Sequence, residues 1–349
     1  MYKQEEKKDM TKIRKFTSLI LATGLVGSLL AGCSSSDGGA SAKEGEDKVL
    51  QYQGTPSAVS YPELAADLGY LGDLTLEDIG SGSGGPESIQ LTGTGEIDFG
   101  SAFNGAIVKA VSKGAKLKSV VGSYGSDENT YMGVYVLADS GIKSAKDLIG
   151  KKIGVNTLGA HAEFVIKDYL RQNGLTEDEI AEVQLVTIPS SNAEQSLRNE
   201  QLDAVQLSGI ARDLAIERGN VAELFRDIDV FGGEFTAGDY FFSEQYIKEN
   251  PTTVKTFTEG VAKAIEWAQT TPAEEVIERF EKIIEARDGD QTTDYVKFWK
   301  SAGIAEKGGV ITDSEYSVWI DWLIKNGELK EGDISPEDLY TNEFNPYEK

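Results

Sequence analysis

Small and polar residues recur in this chain where a short apolar run gives way to a helical pattern. Gly80-Ser81-Gly82-Ser83-Gly84-Gly85 stands before Pro86, Gly100-Ser101-Ala102-Phe103-Asn104 opens one helical stretch, and Asn156-Thr157-Leu158-Gly159-Ala160-His161 opens another. Pro189-Ser190-Ser191-Asn192 and Leu207-Ser208-Gly209 repeat the arrangement. A helix start exposes unpaired N–H groups and a partial positive charge, so several that converge can hold an anionic or polar group without a basic side chain. The first loop matches G-x-G-x-x-G, a dinucleotide fingerprint when it follows the first strand of a βαβ unit. Here it follows the second apolar run, and Pro86 stands where the glycine-led helix should already pack, so no nucleotide cofactor is expected. His161 is the single histidine and Cys33 the single cysteine, which excludes a His-rich or CxxC metal site. No G-x-S-x-G elbow is present, and no spacing among the many carboxylates selects an acid–base pair. The expectation is a binding site with no cofactor, no metal and no catalytic residue.

These loops need strands to carry them. Apolar runs at Val49 to Gln53, Leu74 to Ile79, Ile97 to Gly100 and Leu117 to Gly122 alternate with helical patterns near Tyr61 to Leu68, Pro86 to Thr92 and Asn104 to Lys113. Tyr131 to Ala138, Ile153 to Val155, Val183 to Ile188 and Ala204 to Leu207 continue the alternation, with helices near Ala160 to Gln172 and Asn192 to Asn199. Strands alternating with helices read as α/β with parallel sheets. The last third is mainly helical. Asn250-Pro251 can start a helix whose face carries Val254, Phe257, Val261, Ala264, Ile265 and Ala268. Thr271/Glu274, Thr312/Glu315 and Ser191/Glu194 have capping-box spacing, and Gly327 suits a C-cap.

Ligands in open α/β sheets sit beyond the carboxyl ends of the strands. That places Gln53, Thr55, Ser81, Ser83, Ser101, Asn104, Asn156, Gly159, Ala160, His161, Ser190 and Ser208 at one cleft. Arg212 could hold an anionic group, and Asp239 opens a later strand. Phe103, Tyr124, Tyr131 and Tyr240 could wall the pocket.

The N-terminal segment reads as a secretory signal: Lys12, Arg14 and Lys15, an uncharged apolar run from Phe16 to Leu30, then Ala31-Gly32-Cys33. The run is short for a membrane span, which needs about 20 residues. Small residues directly before a cysteine resemble the bacterial lipobox, which implies lipid on Cys33 and attachment to the outer face of the cell membrane. Residues 1–32 would then be the signal peptide and 33–46 a polar tether. Removing residues 1–32 takes away six basic and three acidic residues, leaving 28 against 55 and a formal charge near −27. Nucleic acid is thereby disfavoured as a partner.

Together these segments resemble the solute-binding proteins of ABC importers, in the branch serving nitrate, taurine, aliphatic sulfonates and thiamine-pyrimidine precursors. The resemblance spans about residues 47–345. It rests on Gly95-Glu96-Ile97-Asp98-Phe99-Gly100-Ser101, Ser144-Ala145-Lys146-Asp147-Leu148-Ile149-Gly150-Lys151-Lys152-Ile153-Gly154-Val155, Gly159-Ala160-His161, Leu202-Asp203-Ala204 and Asn250-Pro251. Similar proteins often have Ser-Ser before the histidine and Trp after the Leu-Asp-Ala strand; this chain has Gly159-Ala160 and Leu207-Ser208-Gly209. The resemblance implies a two-lobed periplasmic-binding-protein type II fold. Each lobe would be a mainly parallel sheet with helices on both faces, joined by crossing strands at Tyr131 to Ala138 and Asp239 to Ser243. Lobe one would be 47–134 plus 240–349, and lobe two 135–239. The implied function is capture of a small anionic or zwitterionic solute by a monomer that delivers it to a permease and its ATPase. A thiamine-pyrimidine precursor or other heteroaromatic is the alternative ligand. A secreted enzyme using cleft carboxylates is the alternative of another class.

Overall fold

The computed structural model describes residues 45–287, 289 and 291–349. Cys33, the signal-like segment and nearly all of the tether lie outside them. The chain forms β1 (Val49–Tyr52), α1 (Tyr61–Asp67), β2 (Thr75–Asp78), α2 (Gly85–Thr94), β3 (Phe99–Phe103), α3 (Asn104–Ser112) and β4 (Leu117–Ser126). It continues through β5 (Met132–Leu137), β6 (Lys152–Val155), α4 (His161–Gln172), α5 (Glu177–Glu182), β7 (Gln184–Thr187), α6 (Ser190–Arg198), β8 (Ala204–Ser208), α7 (Gly209–Glu217), β9 (Val221–Arg226) and α8 (Asp227–Phe231). It ends with β10 (Phe235–Ser243), α9 (Glu244–Glu249), α10 (Pro251–Thr270), α11 (Ala273–Glu285) and α12 (Asp313–Lys325).

The strands form two groups with one plan. In the second, the order is β7-β6-β8-β5-β9: β6 pairs parallel with β7 and β8, and β5 pairs antiparallel with β8 and β9. In the first, β1 pairs parallel with β2, while β10 pairs antiparallel with β3 and β4. The Asp98 N–H donates to the Gln51 carbonyl and sets β3 beside β1. The second group thus has four strands running one way and β5 reversed, and in the first β10 runs against β3 and β4; β5 and β10 are each the strand that follows a passage from the other group. Those reversed strands are the two expected crossing strands, but each lies wholly in one sheet. The expected boundaries at 134/135 and 239/240 fall inside β5 and β10. The passages run through 127–131 and 232–234.

Local chemistry explains most ends. Thr312 and Glu315 form the expected capping box. The other two boxes are corrected: α11 starts at Ala273 behind Pro272, and α6 starts at Ser190 behind Pro189, neither with a side-chain cap. Glu194 instead pairs with Arg198 and Arg218. At α10 the Asn250 side chain accepts from Asp47 N–H (3.0 Å), and Glu46 caps the helix by accepting from Thr252 and Thr253 N–H, both at 2.9 Å. The α10 stripe from Val254 to Ala268 is buried, as its spacing requires.

Two seams join the groups. One is apolar. Phe164 of α4 is 2 % exposed and lies against Trp322 (ring centroids 4.0 Å), Phe103 (5.2 Å) and Trp319 (5.8 Å) of the first group, with Phe231 of α8 4.9 Å from Trp319. The other is polar. Arg212 of α7, 2 % exposed, donates to the carbonyls of Asn129 (2.9 Å) and Tyr131 (3.3 Å) in the first passage. Its partner Asp213, at 2.8 Å, also pairs with Lys300 at 3.0 Å. The Ser301 hydroxyl donates to Asp127 at 2.9 Å.

Candidate functional site

Tyr124, near the end of β4, borders three adjoining cavities. The first, of about 350 Å³, is lined by Tyr52, Gln53, Thr55, Ser60, Ser81, Ser101, Ser123 and Tyr240 among others. A neck of about 110 Å³ runs past Ser101, Phe103, Asn156, Ala160 and His161. It leads to a third space of about 370 Å³ bordered by Ser126, Tyr131, Asn156, His161, Gln206 and Ser208. The structure therefore brings Gln53, Thr55, Ser81, Ser101, Phe103, Tyr124, Asn156, Ala160, His161 and Ser208 to one cleft with walls from both strand groups. No Lys, Arg, Asp or Glu borders any of the three cavities.

The first chamber has an aromatic floor. Tyr52 stacks on Phe99 with centroids 5.4 Å apart and planes 8° apart, and Tyr240 meets Phe99 edge-on at 6.2 Å. Hydroxyls ring it, and the Ser101 hydroxyl donates to Ser123 at 2.8 Å. The starts of α2, α4 and α7 reach the cleft at Gly85, Ala160 and Ser208-Gly209, and none has a side-chain cap. The first N–H groups of α4 and α7, and that of Gly85 alone in α2 because Pro86 has none, suit a polar or anionic ligand group.

His161 opens α4 and stacks on Phe103 (5.3 Å, 11°). Its Nε2 lies 3.3 Å from Oδ2 of Asp227, which is fully buried and accepts from the Ser126 hydroxyl at 2.6 Å. Burial disfavours charge on both groups, lowering His161 to about 4 and raising Asp227 to about 6. At neutral pH the imidazole is uncharged and can both donate and accept.

Six expected residues take other roles. Arg212 lies behind the cleft, its guanidinium 4.0 Å from the Tyr131 ring centroid, and braces the passage. Asp239 is fully buried and accepts from the Tyr316 hydroxyl at 2.7 Å; burial, then the Glu315 charge, raises its pKa well above the usual range. Asn104 is fully buried, and Ser190 sits exposed at the start of α6. Ser83 donates backbone and hydroxyl hydrogens to Glu87 at 2.6 and 2.5 Å. Gly159 has φ +71° and spends its N–H on Glu163 at 2.7 Å, so it shapes the turn into α4. Sequence reading missed Tyr52, Ser60, Ser123, Ser126 and Gln206 as lining residues. The Ser60-x-x-Glu63 capping-box spacing before an apolar run was a usable signal for Ser60. Ser123 and Ser126 were hidden because β4 runs four residues past its expected end at Gly122.

The model of the NMT1/THI5 like family matches residues 63–275, more than half of the chain. The chain belongs to this family. Among curated relatives, a putative binding protein of Brucella abortus is 25% identical over 268 residues, covering 74% of this chain and 79% of that one. A 4-amino-5-hydroxymethyl-2-methylpyrimidine phosphate synthase of Candida albicans is also 25% identical, over 311 residues, covering 85% and 86%. The solved structure of the alkanesulfonate-binding protein SsuA from Xanthomonas axonopodis, bound to MOPS, superposes with a TM-score of 0.65 at 17% identity, covering 85% of this chain and 99% of that one. This family member thus has the periplasmic-binding-protein fold.

Proposed function

We propose that the protein is the extracytoplasmic solute-binding component of an ABC importer, held at the membrane by lipid on Cys33. It captures a small organic solute between two lobes, closes, and hands it to the permease and its ATPase. The carrying observation is the cleft around Tyr124, whose walls come from both strand groups and hold only neutral side chains. Uncapped starts of α2, α4 and α7 supply positive dipole ends without a basic residue, which suits a zwitterion or a weakly charged solute better than a bare inorganic anion. A second reading, a flat heteroaromatic of the pyrimidine class, draws on the Tyr52–Phe99 stack and the family match. The enzyme alternative would draw on carboxylates, and among the described cavities Glu234, Glu306 and Glu315 line a different one, of about 230 Å³.

A thermal-shift screen of small zwitterionic and heteroaromatic solutes identifies the ligand, and calorimetry then compares variants. Ser101→Ala and His161→Ala each should weaken binding at least about tenfold, or about 1.4 kcal/mol. Wild-type affinity in both variants would remove the site from this cleft. Cys33→Ala should leave the membrane fraction, and a variant that stays there disproves the lipid anchor.

A further inference from the structure

The cleft has two larger chambers, and Tyr124 stands where they meet. It is 38 % exposed and borders the first chamber, the neck and the second chamber alike. Its ring is held by the sheet. Tyr124 pairs across β4 and β10 with Gly238, at a point where the register shifts on both sides. A Cβ at Gly238 would fall 2.2 Å from Tyr124 Cε1. Only glycine leaves room for the ring to lie over the strand, a use of strand glycine that also shields it.

The two chambers differ in chemistry. The first has the Tyr52–Phe99 stack as its floor and a rim of serine hydroxyls. The second has two amides, Asn156 and Gln206, the uncharged His161, and the uncapped start of α7 at Ser208-Gly209. At about 350 and 370 Å³, each is at the small end of pockets that hold an organic molecule. A solute of a few heavy atoms fills neither, and a compact one fills only one.

From this we infer that the solute has two parts: a flat ring that lies on the aromatic floor of the first chamber, and a polar or anionic end group that reaches the second through the neck. A short linker passes Tyr124, which sets the permitted length and thickness. This rests on the solute-binding reading above and adds the shape of the ligand and the residue that selects it.

The test uses 3-(1-pyridinio)propanesulfonate, a flat cationic ring joined by three carbons to an anionic end, with 1-methylpyridinium and methanesulfonate as its halves. By calorimetry the joined probe should bind the wild-type chain at least about tenfold more tightly than either half. The halves should bind together without competing. Tyr124→Phe keeps the ring and should preserve this preference, while Tyr124→Ala should reduce it at least about tenfold, with an unchanged far-UV spectrum showing that the fold persists. Competition between the halves, a joined probe no tighter than its better half, or no binding of any probe at millimolar concentration would overturn the inference. A crystal structure with the solute from the thermal-shift screen separates the two readings. A solute confined to one side of Tyr124 sinks the two-part ligand and leaves the solute-binding function standing. A screen with no hit at all sinks both.

Discussion

One seam between the strand groups is mainly aromatic, with Arg171 of α4 at its edge over Trp322, and the other is mainly ionic, so the two should resist separation to different degrees. At the apolar seam, Phe164, Trp319, Trp322, Phe103 and Phe231 are packed ring on ring, and Phe164 is all but sealed from solvent. Parting it would return several aromatic faces to water, and each fully buried large side chain is worth about 1.5–3 kcal/mol. At the polar seam, Lys300 is half exposed, and its pairing with Asp213 can be exchanged for water at little cost. Arg212 travels with neither exchange: its bonds to Asn129 and Tyr131 fasten the passage to α7. If the proposed closure occurs, we expect it as a rotation about the apolar seam with release of Lys300 from Asp213, the passage at 127–131 staying fastened by Arg212.

The largest effect should come from Phe164→Ala. Truncating a buried phenylalanine costs about 3–5 kcal/mol, and denaturant unfolding should report a loss in that range. A loss below about 1 kcal/mol would mean that the rings do not couple the groups. Next is the pH response of the apolar side. Glu315 on α12 is buried, and desolvation raises its carboxyl from 4.5 to about 7. The folded state therefore holds a proton that the unfolded chain releases. The resulting stability is fully present below about pH 4.5 and is lost as pH rises through 7. Glu315→Gln should flatten this part of the melting-temperature profile between pH 4.5 and 7. Equal profiles for the two proteins would show that the carboxyl is not desolvated. Smallest is Lys300→Ala, which should cost no more than about 1 kcal/mol, less still at high salt. It should nevertheless enlarge the unliganded molecule in small-angle scattering; an unchanged radius would relocate the opening away from the polar seam.

The difference also bears on what could be read from the sequence. The alternation of apolar runs and helical stripes located β1 to β8, α10 and α12, because strand and helix periods are local properties. β9 was missed since Val221–Arg226 mixes charge with apolar residues at the sheet edge, and α5 and α8 are too short to show a stripe. Strand-end loops led to Ser81, Ser101, Asn156 and His161, all of which border the cleft. Arg212 and Asp239 went astray for a common reason: a charged residue near a strand end can face inward, and only packing reveals that each satisfies a buried partner. The position of Tyr124 between the chambers was invisible because it depends on Gly238, far from it in sequence and joined by cross-strand register alone.

That register has a further consequence, for the order in which the molecule can be assembled. β10 is the middle strand between β3 and β4, yet it lies beyond the whole of the second group in the chain. A chain extending from its N-terminus has β3 and β4 long before it has the strand that joins them. The second group, contiguous from β5 to β9, can complete its sheet first. Until residues 235–243 arrive, the first group carries two open strand edges of the kind that pair with the wrong neighbour. Lengthening the insertion between β4 and β10 would prolong that exposure and leave the finished fold unchanged.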